Sequence, residues 1–356
     1  MRWKKVLSLA LCALLLCTVC QTPAAAISTS ATSTYVIDVD SGRVLYENNA
    51  DEERPIASIT KIMTALVAIE ASSEEDLERV CTVSAYAATV GGSSLYLLEG
   101  DEITLLSALY GCLLRSGNDC AVVVAETIAG SEEAFTDLMN EKAAELGMTH
   151  SHFVSCNGLV DEDNYSTAHD MAILGAYAIQ NELFAEICGT WIITTEDGYW
   201  IENHNKLLSY DDRCIGIKTG FTTLAGRTLV SCARDPDTGE RVVCVTLNDA
   251  YDFDDHMAVY DWAFATYTPK TLCTAGETVT TLTFAGNGAT ATLVTAEDVT
   301  YPLLDGEESG LSCKISCPVN VPSVIKEGGE AGKVTYFLDG EEIASATLYY
   351  GKVVYR

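Results

Sequence analysis

The sequence predicts an α+β fold, an antiparallel sheet combined with helices, followed by a small all-β domain. Three observations predict it. Short alternating runs joined by tight turns stand at both ends of residues 27–267. Apolar runs of helical period fill the interval between them. Beyond Thr268 that periodicity gives way to short Thr-, Val- and Gly-rich runs with frequent turns. The expected division is a leader over residues 1–26, a mixed domain over 27–267 and a β-rich domain over 268–356.

The leader has a basic start at Arg2, Lys4 and Lys5, an apolar stretch from Val6 to Val19, and small residues at Ala24-Ala25-Ala26. That order is the pattern of a secretory signal peptide, and the apolar stretch falls short of the roughly 20 residues a membrane span needs. Val19 before Cys20 is not the small residue lipoprotein processing prefers, so simple cleavage is expected, with a secreted, extracytoplasmic product. Losing the leader takes the formal charge from -30 to -33. So acidic a surface argues against nucleic acid and anionic membrane as partners. Of 14 cysteines, Cys12, Cys17 and Cys20 leave with the leader. The 11 that remain are an odd number, and Cys112, Cys120, Cys232 and Cys244 lie in apolar runs, so buried free thiols are expected rather than a disulfide framework. Beyond the leader, which takes Cys17-Thr18-Val19-Cys20 with it, there is no Cys-x-x-Cys and no clustering of the five histidines, hence no metal site is expected.

In chain order, Tyr35 to Val39 and Arg43 to Tyr46 read as strands joined by the turn Asp40-Ser41-Gly42. Apolar residues at 59, 62, 63, 66 and 69 predict a helix beginning near Ser58. Val83 to Asp101 reads mostly as loop. Leu105 to Leu114 is a strongly apolar helix ending at Arg115-Ser116-Gly117-Asn118, and a second starts at Asp119, an acid suited to a helix N-terminus, and runs to Gly130. Helices follow from Glu132 to Leu146, from Met171 to Glu182 and from Asp255 to Tyr267. Cys214 to Gly220 alternates as a strand with Gly216, Lys218 and Gly220 on one face, left open by the glycines. Thr228 to Ala233 and Arg241 to Leu247 form a hairpin through Asp235-Pro236-Asp237-Thr238-Gly239. Near the C-terminus, runs around Asp339-Gly340 read as another hairpin, and no terminal amphipathic helix is seen that would anchor the chain to a membrane.

Three of these stretches carry chemistry. Ser58 and Lys61, three apart on a helix, place a hydroxyl beside an amine on one face. A lysine takes a proton from serine only if its own pKa is lowered, by burial or by a second cation. Ser-x-x-Lys alone is expected about once by chance in a chain of this length, and Ser323 to Lys326 shows it again without helical context. Ser116-Gly117-Asn118 sits in the break between two apolar helices, where a glycine-centred turn can present Ser and Asn to one cavity. Ser155-Cys156-Asn157 repeats that pattern too. Lys218-Thr219-Gly220, on the strand, offers the second cation.

In this order and on these elements, Ser58-x-x-Lys61, Ser116-x-Asn118 and Lys218-Thr219-Gly220 resemble the serine penicillin-recognising enzymes. Tyr165-Ser166-Thr167-Ala168, Asn205-Lys206-Leu207-Leu208 and Gly216-x-Lys218-Thr219-Gly220-x-Thr222-x-x-Ala225-Gly226 narrow the resemblance to the D-alanyl-D-alanine carboxypeptidases, over about residues 33–267. The resemblance implies a β-lactamase/DD-peptidase-like fold, no cofactor, and acyl transfer on peptidoglycan stem peptides ending in D-Ala-D-Ala, with β-lactam antibiotics as acylating ligands. It implies Ser58 as nucleophile and Lys61 as base, kept neutral by burial and by Lys218. Ser116 would relay a proton to the leaving amine and Asn118 would orient Lys61 and the substrate amide. Lys218 and Thr219 would hold the terminal carboxylate, and the strand at Gly220 and Phe221 would complete the oxyanion hole with the backbone N–H of Ser58. Two departures stand out. Asn157-Gly158-Leu159 replaces a His-Gly-Leu of some members, and no arginine precedes the last helix near Asp252 to His256, leaving Arg227 as a candidate substitute. A β-lactamase with Glu162 holding the hydrolytic water, and a non-catalytic wall-binding relative, are the alternative readings.

Overall fold

The computed structural model describes residues 27–159, 162–284, 288–317 and 325–355. The expected leader and Ser323 lie outside the described residues. The core of the molecule is a five-stranded antiparallel sheet of order β2-β1-β5-β4-β3, built from β1 (Ser33–Asp38), β2 (Val44–Asn48), β3 (Cys214–Thr222), β4 (Gly226–Arg234) and β5 (Arg241–Leu247). The first hairpin and the last three strands thus meet across the whole chain between them.

Alternation decides which way each side chain faces. Ile37, Val230, Val243 and Val245 enter the large core shared with the helices, whereas Val36, Ala233, Val242 and Cys244 face a smaller core against α7 (Asp252–Thr266). The middle strands are therefore apolar on both faces, and the sheet is the central layer of three. On its larger side lie α1 (Lys61–Glu70), α2 (Leu105–Leu113), α3 (Asn118–Ala129), α4 (Glu132–Glu145), α5 (Ala168–Ala178) and α6 (Glu182–Gly189). Side-chain caps at Thr104, Ser131, Thr167 and Asn181 start α2, α4, α5 and α6 by accepting backbone N–H bonds of the first turn.

One expectation needs correction. The single helix from Met171 to Glu182 is two helices, broken at 179–181, because the Asn181 side chain accepts from the N–H of Phe184 and opens α6. The 83–101 stretch is mostly loop, as expected, with one short helix, Ala85–Thr89, capped by Ser84. Its loop remainder is tied down by Asp119, which sits in the first turn of α3 and accepts from the hydroxyl of Ser94 and from the backbone of Leu95 and Leu97. All 11 cysteines of the described chain are free, nine of them buried, among them Cys112, Cys120, Cys232 and Cys244.

After α7 the chain forms a second five-stranded antiparallel sheet with its own core, centred on Leu293, Val334, Ala346 and Leu348. Arg43, at the end of the β1–β2 turn, ties the two parts together. It donates to Glu307 with both terminal nitrogens at 2.8 Å, and to the carbonyl of Pro302 at 2.5 Å, with its guanidinium about 5 Å from the rings of Tyr267 and Tyr301.

Candidate active site

Ser58 sits on a turn of 3₁₀ helix, Ala57–Thr60, with α1 starting only at Lys61. The helix expected near Ser58 is tightened at its first turn by backbone packing on two sides. On one side β3 passes so close that a Cβ at Gly220 would stand 3.0 Å from the amide nitrogen of Ser58. On the other, Gly158 has φ +72°, and a Cβ there would stand 2.0 Å from the carbonyl oxygen of Ala57. Only glycine permits either approach.

Lys61 points inward and is wholly buried. Its Nζ lies 3.1 Å from Oγ of Ser58, 2.7 Å from Oδ1 of Asn118 and 2.6 Å from the carbonyl oxygen of Asn157. Nδ2 of Asn118 donates to the carbonyl of Gly91 at 2.7 Å, which fixes which amide atom faces the lysine. A neutral amine has two N–H bonds and one lone pair. The two shorter contacts end on carbonyl oxygens that can only accept, so they take the N–H bonds and the lone pair is left for the hydroxyl of Ser58.

Lys218 is buried as well, its Nζ donating to the carbonyl of Thr219 at 2.9 Å. Burial lowers Lys61 from its ordinary value to about 8. It also lowers Lys218, to about 7, with repulsion from Lys61 as the second cause. Burial, more than the second cation, is thus what brings Lys61 near neutrality. The expected open face of β3 is correspondingly not open. A Cβ at Gly216 would meet Sγ of Cys188 at 2.7 Å, Gly220 lies against the Ser58 turn, and Lys218 is covered between them. Being the edge strand of the sheet, β3 instead offers its far rim, where Phe221 is exposed.

Ser116 adopts φ +63° in the turn between α2 and α3. Its hydroxyl is buried with no hydrogen-bond partner among the described residues. Together with Ser58, Thr219, Gly220 and Phe221 it lines a cleft of about 300 Å³. Sequence reasoning missed three contributors to this site. The carbonyl of Asn157 belongs both to the second Ser-x-Asn tripeptide and to the Asn157-Gly158-Leu159 departure, neither of which assigns that carbonyl a role. His204 and Lys206 line the cleft from the stretch that holds Asn205-Lys206-Leu207-Leu208, which carries the resemblance without assigning a role to either side chain. Arg227, the candidate substitute, does reach the cleft from β4. It pairs with Asp252 at 2.7 Å and lies 5.2 Å above the ring of Phe253. Glu162, by contrast, is exposed and does not line the cleft.

A family model described as D-alanyl-D-alanine carboxypeptidase matches residues 19–251, and one described as penicillin-binding protein 5, C-terminal domain, matches residues 267–356. D-alanyl-D-alanine carboxypeptidase DacF of Bacillus subtilis is 32% identical over 329 residues, 89% of this chain and 84% of that relative. DacC of Escherichia coli, of the same description, is 30% identical over 342 residues, 90% and 83% of the two chains. The solved structure of penicillin binding protein 5 from Haemophilus influenzae aligns with a TM-score of 0.78 at 26% identity, over 92% of this chain and 98% of that one. A peptidoglycan synthesis regulatory factor from Streptococcus pneumoniae aligns with a TM-score of 0.82 at 25% identity, over 92% and 100%. The chain belongs to the D-alanyl-D-alanine carboxypeptidase family of serine hydrolases.

Proposed function

We infer that the protein is a serine-type D-Ala-D-Ala carboxypeptidase that removes the terminal D-alanine from peptidoglycan stem pentapeptides and is acylated by penicillins. The observation that carries this reading is the 3.1 Å contact between Ser58 and a lysine whose other two short contacts are both to acceptors, at the mouth of a cleft. Oγ of Ser58 attacks the carbonyl between the two D-alanines while its proton passes to Lys61. The tetrahedral oxyanion is received by the backbone N–H of Ser58 and one from β3 at Phe221. The C–N bond then breaks, the departing amine takes a proton through Ser116, and water hydrolyses the remaining ester. Asn118 orients Lys61 and the substrate amide, while Thr219 holds the terminal carboxylate with Arg227 beside it, and Lys218, buried beneath the cleft, acts on that carboxylate through its charge rather than by direct contact.

The chain is read as exported on a leader spanning residues 1–26, with catalysis in 27–267 and a β-rich domain in 268–356, acting outside the cytoplasm on the cell wall. Mass analysis of the intact protein after brief exposure to benzylpenicillin, together with D-alanine release from a pentapeptide, tests the function. A lasting adduct on the peptide containing Ser58 with measurable release is expected. Rapid drug turnover would indicate a β-lactamase, and absence of both an adduct and release would indicate a wall-binding protein.

Ser116 offers a sharper test of its assigned role. A buried hydroxyl without a partner costs about 1–3 kcal/mol, which a substrate or leaving group would repay. Ser116→Ala is therefore expected to leave thermal stability unchanged or slightly raised while kcat/KM for the pentapeptide falls about 100-fold, the scale of one proton-transfer contribution. A stability loss matching the activity loss would mark Ser116 as structural.

A further inference from the structure

Arg115 stands at the turn that carries Ser116, and its Nη1 lies 3.2 Å from Nε2 of His204. A guanidinium only donates, so Nε2 must accept and the single ring proton must sit on Nδ1. Charge leads to the same state. Burial, with Lys218, Arg115 and Lys206 adding to it, pushes the imidazole down to about 4, so it is neutral at ordinary pH. The ring is firmly mounted. The backbone N–H of His204 donates to the carbonyl of Leu114 at 3.0 Å, and the wholly buried Asn205 that follows is held by Oδ1 of Asn203 at 2.9 Å. Among the described residues Nδ1 has no partner, and His204 lines the cleft with Thr219, Lys206 and Arg227.

The geometry points to His204, held as its Nδ1–H tautomer by Arg115, as a binding residue that donates to the terminal carboxylate of the acyl donor. This rests on the carboxypeptidase reading above. A neutral donor suits the position. Lys61 and Lys218 already share the buried region beneath the cleft, and a further charge beside them would add repulsion, whereas an uncharged N–H supplies direction without it. Lys206 contributes attraction from the rim and Thr219 a hydroxyl, and His204 selects the oxygen position between them.

The test has two arms. In Ser58→Ala protein labelled with ¹⁵N-histidine, His204 is expected to show a protonated Nδ1, a bare Nε2 and no titration between about pH 5 and 8. Its Nδ1–H signal is expected to move on adding N-acetyl-D-alanyl-D-alanine but not on adding the same dipeptide as its C-terminal amide. In the otherwise native protein, His204→Phe is expected to raise KM for the free-acid peptide about tenfold with kcat nearly unchanged, and to erase the same factor of preference for acid over amide. Arg115→Met should move both in the same direction by less. An Nε2–H tautomer, titration above pH 6, or an unchanged acid-to-amide preference overturns the inference. Failure of the underlying reading looks different: the native protein would show neither D-alanine release nor a penicillin adduct, while the dipeptide titration still reports on His204.

Discussion

Lys61→Met is expected to lower penicillin acylation and D-alanine release by about 10⁴-fold, the upper end of what a positioned base contributes. Methionine keeps the length and the apolar stem while removing the one lone pair aimed at Ser58. The wild-type value explains the size of the effect. A lysine at its usual pKa would be neutral in roughly one molecule in a thousand near pH 7.4, whereas at about 8 roughly one in five is neutral, a gain of about 200-fold before any geometry is counted. The sign of the pH dependence follows. The base acts as the free amine, so kcat/KM rises with pH and levels once the lysine has lost its proton. Because Lys218 sits at about 7 and Lys61 at about 8, the two titrate as a pair and the acid limb is expected between those values. Stopped-flow acylation across pH 5 to 10 checks both the loss and the limb. A Lys61→Met protein retaining a tenth of wild-type acylation would remove Lys61 from the mechanism.

That burial does most of this lowering bears on what a sequence can carry. Ser58-x-x-Lys61 is legible because helical spacing alone brings the two side chains together, and Lys218-Thr219-Gly220 because strand alternation marks it. Their degree of burial is not legible, since it depends on α2, α3 and β3 closing over them from distant parts of the chain. The open face expected on β3 failed for this reason. Glycines at 216 and 220 are absences of side chain, and an absence fits a ligand's approach as well as it fits Cys188 or the Ser58 turn. The sheet itself was read correctly in its strands and hairpins, yet nothing local says that the hairpin of β1 and β2 pairs with β5 rather than elsewhere. Asn157 is the clearest case. It acts through a backbone carbonyl, which every residue has, so no residue type could have announced it.

The Asn157 carbonyl is held in place by the residue that follows, and Gly158→Ala is accordingly expected to damage both fold and chemistry. Cys156, Asn157 and Gly158, with Asn164 further on, lie along the nucleophile turn and helix. Thr64 donates to the carbonyl of Cys156 at 2.5 Å, Lys61 to that of Asn157 at 2.6 Å, and Asn164 to the hydroxyl of Thr60 at 3.0 Å. Gly158 lies within that row at φ +72°, with the Ala57 carbonyl where a Cβ would be. A left-handed alanine costs about 1–2 kcal/mol by itself. The overlap at 2.0 Å cannot be relieved by a rotamer change, since both groups are backbone, so the loop must move away from Ala57. A total near 4 kcal/mol is expected, a fall in Tm on the order of 10 °C. Displacing the loop by about 1 Å carries the Asn157 carbonyl off Lys61, and such a misplacement lowers acylation about 100-fold even in the folded fraction. Gly130→Ala separates the two costs, because Gly130 has φ +82° at the end of α3 with nothing within 4 Å of its Cβ position. It should lose the conformational term alone and acylate normally. Calorimetry and benzylpenicillin acylation rates on the two variants decide the matter, and equal behaviour of Gly158→Ala and Gly130→Ala would mean that the loop does not hold Lys61 in its working position.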